Sequence, residues 1–157
     1  MPITDRAPGT TAGADIRSSA TDTGLLLLRV GLGIIFLAHG AQKVFGLFGG
    51  HGLAATVGGM ESMGIPAPLA YLASFTELFG GLAVLLGILT RLASLGLLIT
   101  MLVAILLVGI KGGFFAPKGF EFAFSLAVIA LTLMFTGPGR FAVGDWERRA
   151  FRRGSAP

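Results

Sequence analysis

Four long stretches of this chain carry almost no charge, and they constrain its fold more than any motif does. Leu25 to Phe48 is broken only by Arg29, His39, Gln42 and Lys43 among strongly polar or ionisable groups. Ile65 to Thr90 holds Glu77 as its sole charge, and Leu92 to Ile110 and Phe122 to Gly139 hold none. A bilayer core of about 30 Å takes about 20 helical residues at about 1.5 Å each, so each stretch is read as a crossing. With 54% hydrophobic and 13% charged residues, the chain has about half the charge of a soluble domain. Too little polar surface remains to cover a soluble globule, and disorder demands the opposite composition. The expected fold is an all-α membrane protein with four transmembrane helices in an antiparallel bundle, spanning 24–47, 67–90, 91–111 and 119–138.

The connections fit that plan. Gly49, Gly50, Gly52, Gly58, Gly59, Gly64, Pro66 and Pro68 punctuate the first connection. Within it Leu53, Val57 and Met60 fall at helical spacing, which predicts a short interfacial helix in the first outer loop. Residues 1–23 are small and polar without an apolar core, and are read as a disordered cytoplasmic arm rather than a signal peptide. The four-span domain then covers 24–145, and 146–157 forms a basic cytoplasmic tail. With both ends on one side, that side holds eight basic residues: Arg6, Arg17, Arg91, Arg140, Arg148, Arg149, Arg152 and Arg153. The other holds three: Lys43, Lys111 and Lys118. The excess places both termini in the cytoplasm of a bacterial-type inner membrane. The net charge of +4 is therefore assigned to anionic lipid headgroups at the tail and not to nucleic acid.

Small residues recur at seven-residue spacing: Gly24, Gly31 and Ala38; Gly33 and Gly40; Ala73, Gly80 and Gly87. Lipid gives helices no hydrophobic reason to associate, so such stripes let backbones approach closely. Gly109-x-x-x-Gly113 and the glycine stripes permit a homodimer.

The ionisable residues inside the spans carry the functional question. Arg29, Gly33, Phe36, Gly40 and Lys43 share one face of the first span, with His39 at its border. Glu77 shares a face with Ala73, Gly80 and Gly81 and points into the bundle, where a carboxylate is costly unless paired or neutralised. It lies at about the depth of His39, below Lys43 and above Arg29, while Glu121 opens the fourth span within reach of Lys43 or Lys118. Two readings follow: a clamp, with Glu77 paired to His39, Lys43 or Arg29, or a polar mid-membrane site where His39 and Glu77 exchange protons beside a ligand. The chain has no cysteine, which excludes disulfide, thiolate and iron–sulfur chemistry within it. A haem would need a second facing histidine, and no helix-borne spacing of metal ligands is present, so neither haem nor metal is expected.

Arg29-x-Gly31, His39-Gly40-x-x-Lys43, Pro66-x-Pro68, Glu77-x-x-Gly80-Gly81 and Gly87-x-x-Thr90-Arg91 stand in an order that resembles the DoxX family of small four-helix membrane proteins. Gly119-Phe120-Glu121 and Gly137-Pro138-Gly139-Arg140 match its second half, so the likeness spans about 24–145. The resemblance implies an inner-membrane protein catalogued as an oxidoreductase, with relatives tied to quinone-linked sulfur oxidation and to defence against oxidative stress. On that basis His39 and Glu77 are the candidate catalytic, proton-handling pair. Arg29, Lys43, Glu121, Gly40, Gly80 and Gly81 form the candidate cofactor-binding set, for a quinone held between the first two spans. The chain would then be the membrane subunit of a redox system and would need a redox partner protein. A scaffold or assembly factor that docks partner proteins, and a small proton-coupled transporter, are the competing readings.

Overall fold

A computed structural model of the chain describes residues 10–115 and 119–143. Those residues form α1 (Thr10–Phe45), α2 (Gly52–Ser62), α3 (Ala67–Leu86), α4 (Thr90–Ala104) and α5 (Glu121–Thr136), with no strand among them. A π-helical turn (Ile105–Gly109) and a 3-10 turn (Ile110–Gly112) prolong α4. The basic tail at 146–157 and Lys118 lie outside the described residues.

Three segments are long and apolar enough to cross a membrane: Ser18–Phe45, Ala67–Leu86 and Thr90–Leu107. The fourth expected span is shorter. α5 has 16 residues, about 24 Å of helix, because Gly137 leaves the helical region at φ 78° and, at the other end, the Phe120 and Glu121 N–H groups donate to the carbonyls of Gly113 and Phe114. The first helix is longer than expected, since it already begins at Thr10 where a disordered arm was read. Once the apolar helix has nucleated, each added residue needs only the propagation step, which carries the helix through Ser, Thr, Asp and Gly13 despite their low propensity.

Sequence punctuation explains the other boundaries. Pro66 stands extended before α3, and Pro68 sits in its first turn, where a missing N–H costs nothing. Gly87 ends α3 in the left-handed region at φ 75°. Only Gly87 to Leu89 separate α3 from α4.

α1 and α3 run antiparallel in close contact: Gly33 lies against Leu85, Gly81 against Leu37, and Gly40 against the backbone of Leu78. Gly24 and Gly31, of the other stripe, face open space. The dimer motif is also divided, because Gly109 packs on Phe120 within the chain. α4 packs on α3 and on α5. Leu32, Phe36, Val84, Leu97, Met101, Leu126, Ala127, Ala130 and Leu133 fill the centre.

The outside inverts a soluble protein. Leu27, Phe79, Leu92, Leu106 and Phe135 are largely exposed, while Arg29 and Glu77 are buried. An apolar exterior of that extent calls for apolar surroundings.

Candidate functional site

The face read on the first span is buried as a unit: Arg29, Gly33, Phe36 and Gly40 all point inward, with Lys43 at its outer end. Because Gly40 lets α1 close onto Leu78, Lys43 reaches the next residue along α3. Lys43 Nζ donates to both carboxylate oxygens of Glu77, each at 2.5 Å. Glu77 is 2% exposed and Lys43 24%. Of the partners open to Glu77, the fold selects Lys43. A buried carboxylate keeps its charge at this depth only with such a partner.

The pair stands between two cavities. The larger encloses about 820 Å³ among α2, α3, α4 and the start of α5, with Ala73, Thr76, Gly96 and Thr100 on its walls beside Lys43 and Glu77. The smaller, about 170 Å³, is lined by Phe36, His39, Met101, Phe122 and Leu126, again with Lys43 and Glu77. Pockets for drug-sized ligands run from about 300 to 1,000 Å³, so only the larger has that capacity.

This placement corrects the expected one. α1 and α3, the first two spans, close on each other where Gly33, Gly40 and Gly81 meet the opposite helix. Space opens instead on the α4 side of α3. There Gly96, Thr100 and Ala104 keep one face of α4 low, at four-residue spacing. That stripe of small residues on an uncharged span is the signal the sequence holds for this space.

The remaining candidates scatter. His39 lines the smaller cavity, its ring centroid 6.3 Å from that of Phe122 at a 50° tilt. Gly40 and Gly81 make the α1–α3 contact, and Gly80 lies against Leu97 of α4. They are packing positions. Glu121 begins α5, where a carboxylate suits the positive end of the helix dipole, and it lines neither cavity.

Arg29 belongs to a different site. It lies about 21 Å from Lys43 along α1. Its guanidinium donates to the carbonyls of Val84 (3.2 Å), Leu85 (3.3 Å), Pro138 (2.6 Å) and Phe141 (3.1 Å). A cation there serves the Leu85 carbonyl at the negative end of α3, adds a second donor to Val84, whose carbonyl also accepts the Gly87 N–H, and straps the 137–143 segment across it. Val143 N–H to Leu86 and Arg140 N–H to Asp22 complete the strap.

Comparison with known proteins agrees with this membrane architecture. The DoxX family profile matches residues 24–110. A Bacillus subtilis protein named "Putative oxidoreductase CatD" is 36% identical over 112 residues, covering 71% of this chain and 79% of that one. The "Uncharacterized membrane protein Rv3486" of Mycobacterium tuberculosis is 32% identical over 145 residues, 84% of each chain. The "Inner membrane protein YqjF" of Escherichia coli is 38% identical over 74 residues, 47% of this chain and 52% of that one. No solved structure matches.

Proposed function

Because the chain belongs to the DoxX family of membrane proteins, we propose that it is the membrane subunit of a redox system and holds a quinone in the larger cavity. The observation that carries this reading is the Lys43–Glu77 pair, buried in the wall of an otherwise apolar space large enough for such a ring. When bound, a quinone supplies two-electron, two-proton chemistry that this cysteine-free chain has no side chain to carry. Electrons then come from a redox partner protein.

The residues present fit a quinone. An ammonium has three N–H donors, and Glu77 takes two of those on Lys43, which leaves one for a ring carbonyl oxygen. Positive charge at that oxygen favours the reduced ring. Glu77 exchanges a proton at the same end of the cavity, and Lys43 stabilises its carboxylate. His39 lies across the pair from the ring and supplies protons through the smaller cavity without touching the ring. In this reading α5 completes four antiparallel crossings, both termini are cytoplasmic, and α2 lies in the outer interface of the inner membrane.

The test is to purify the protein in mild detergent, extract it with organic solvent, and identify co-purified molecules by mass spectrometry. A quinone enriched with the wild type and lost from Lys43→Met and Glu77→Gln is the expected result. A folded wild-type protein that carries no quinone, and takes up none when it is added, overturns the reading.

A further inference from the structure

The larger cavity has its charge at one place and its opening at another. Among the described residues, Lys43 and Glu77 are the charged ones on its lining, and the Thr100 hydroxyl is already committed to the Gly96 carbonyl at 3.0 Å. Leu69 and Leu72 of α3, Ile99 and Val103 of α4 and Leu107 of the π-helical turn line the cavity and are 40% to 62% exposed, as is Met63 after α2 at 50%. Side chains that do both form a rim. This rim is apolar, and most of it lies on the flanks of two membrane-length helices whose outer surfaces also expose Phe79, Leu95 and Leu102.

The end nearest the first connection is partly covered. α2 packs on α1 and α3, and its Val57 is buried. Thr56 Oγ1 donates to the Lys43 carbonyl at 3.3 Å. Met60 and Met63–Pro66 line the cavity beneath α2. The roof is partial, because Met63, Gly64 and Pro66 line the cavity and are also exposed; the space opens along the flanks of α3 and α4 and, more narrowly, at the α2–α3 joint.

We infer that the cavity is loaded sideways from the bilayer and takes a quinone with a long alkyl or isoprenoid chain. The ring lies at Lys43 and Glu77, and the chain leaves between Leu72 and Ile99. This rests on the quinone reading above and adds the route and the chain to it. Lipid solvates a chain as well as an aliphatic rim does, so the chain adds little contact energy. Its role is to concentrate the ligand in the bilayer and to fix which end of it faces inward. A water-borne ring without a chain would have to pass the α2–α3 joint at Met63 and Pro66, which α2 partly covers, and would lack the chain that concentrates it at the lateral opening.

The chain has no cysteine, so one introduced at Thr100 carries a nitroxide inside the cavity, and one at Leu102 carries it on the outer helix surface as a reference. The protein is reconstituted in phospholipid vesicles, and collisions with oxygen, which partitions into lipid, are compared with those of a water-soluble nickel chelate. At Thr100→Cys oxygen accessibility should exceed nickel accessibility several-fold. Decyl-benzoquinone should at least halve the oxygen value there, leaving Leu102→Cys unchanged, and a chainless benzoquinone at equal bulk concentration should have little effect. If Thr100→Cys does not fold, Ala73→Cys probes the same space.

Greater nickel than oxygen accessibility at the cavity position overturns sideways loading, whatever the extraction experiment finds. Oxygen access that no benzoquinone of either kind reduces overturns the quinone occupant while the lateral opening stands. Equal displacement by the chainless and decyl compounds overturns the requirement for a chain.

Discussion

Gly87 leaves the space that the guanidinium of Arg29 fills: a Cβ built on Gly87 would stand 2.9 Å from Arg29 Cζ and 2.8 Å from the Ala142 methyl. The same glycine holds φ at 75°, which L side chains resist. One residue thus serves three needs: the stop of α3, the seat of a buried cation and the strap over it.

Two substitutions test that joint. Gly87→Ala combines left-handed strain with a clash and should destabilise by about 2–4 kcal/mol. Arg29→Lys keeps the charge, and Val84 keeps the Gly87 N–H. Three donors on one nitrogen do not span Leu85, Pro138 and Phe141 as the planar guanidinium does, so losing one of these should cost about 2 kcal/mol. Both should lower the thermal midpoint in detergent. Neither should release a ligand from the larger cavity while the protein stays folded, because the joint lies about 21 Å away along α1. Ligand loss from a folded Arg29→Lys protein would tie the joint to the site.

The two glycine stripes of α1 should respond with opposite sign. Gly40→Ala forces its methyl into the backbone of Leu78 and should cost about 1–3 kcal/mol as α1 and α3 move apart. That movement also draws Lys43 away from Glu77. Gly31→Ala meets open space and replaces the weakest helix former but proline, so it should be neutral or stabilising by up to about 1 kcal/mol. Paired thermal unfolding curves decide. A destabilised Gly31→Ala would mean that this stripe is covered in the membrane, as a homodimer would cover it.

Periodicity was enough to order the helices, to find the inward face of α1 and to turn Glu77 toward the interior, because each depends on residues a few positions apart. The fate of Arg29 was not legible. Its acceptors are backbone carbonyls 55 to 112 positions away, and a carbonyl has no residue type to recognise. The adjacent pair Gly80 and Gly81 shows a second limit. One step around the helix is about 100°, so Gly81 meets α1 and Gly80 meets α4, and neither lines either cavity. The cavity escaped for a third reason. It is made by small side chains on an uncharged helix, and charge was the guide to sites.

Orientation can be measured directly in a chain without cysteine. Met63→Cys, beyond α2, and Val143→Cys, on the strap, both replace exposed side chains. With four crossings and cytoplasmic termini, a membrane-impermeant maleimide should label position 63 from outside intact spheroplasts and position 143 only after lysis. Labelling of both from one side would mean that α5 does not complete a crossing, which its 16 residues make the sharpest question in the topology.

The last prediction separates a clamp from a site. Lys43→Met leaves the Glu77 carboxylate buried without its cation, and loss of one partner of such a pair costs about 3–5 kcal/mol. Glu77→Leu alone strands the ammonium instead, at less cost, because Lys43 is partly exposed and its long stem can carry the charge outward. The double variant Lys43→Met/Glu77→Leu removes both charges at similar volume and should unfold within about 1–2 kcal/mol of the wild type, or above it. A pair that served only to hold α1 against α3 would be fully replaced by this exchange, and quinone retention would return with stability. A pair that binds the ring would not be, since neither Met nor Leu donates a hydrogen bond to a carbonyl oxygen. The expected result is a folded double variant, near the wild-type midpoint, that retains no quinone.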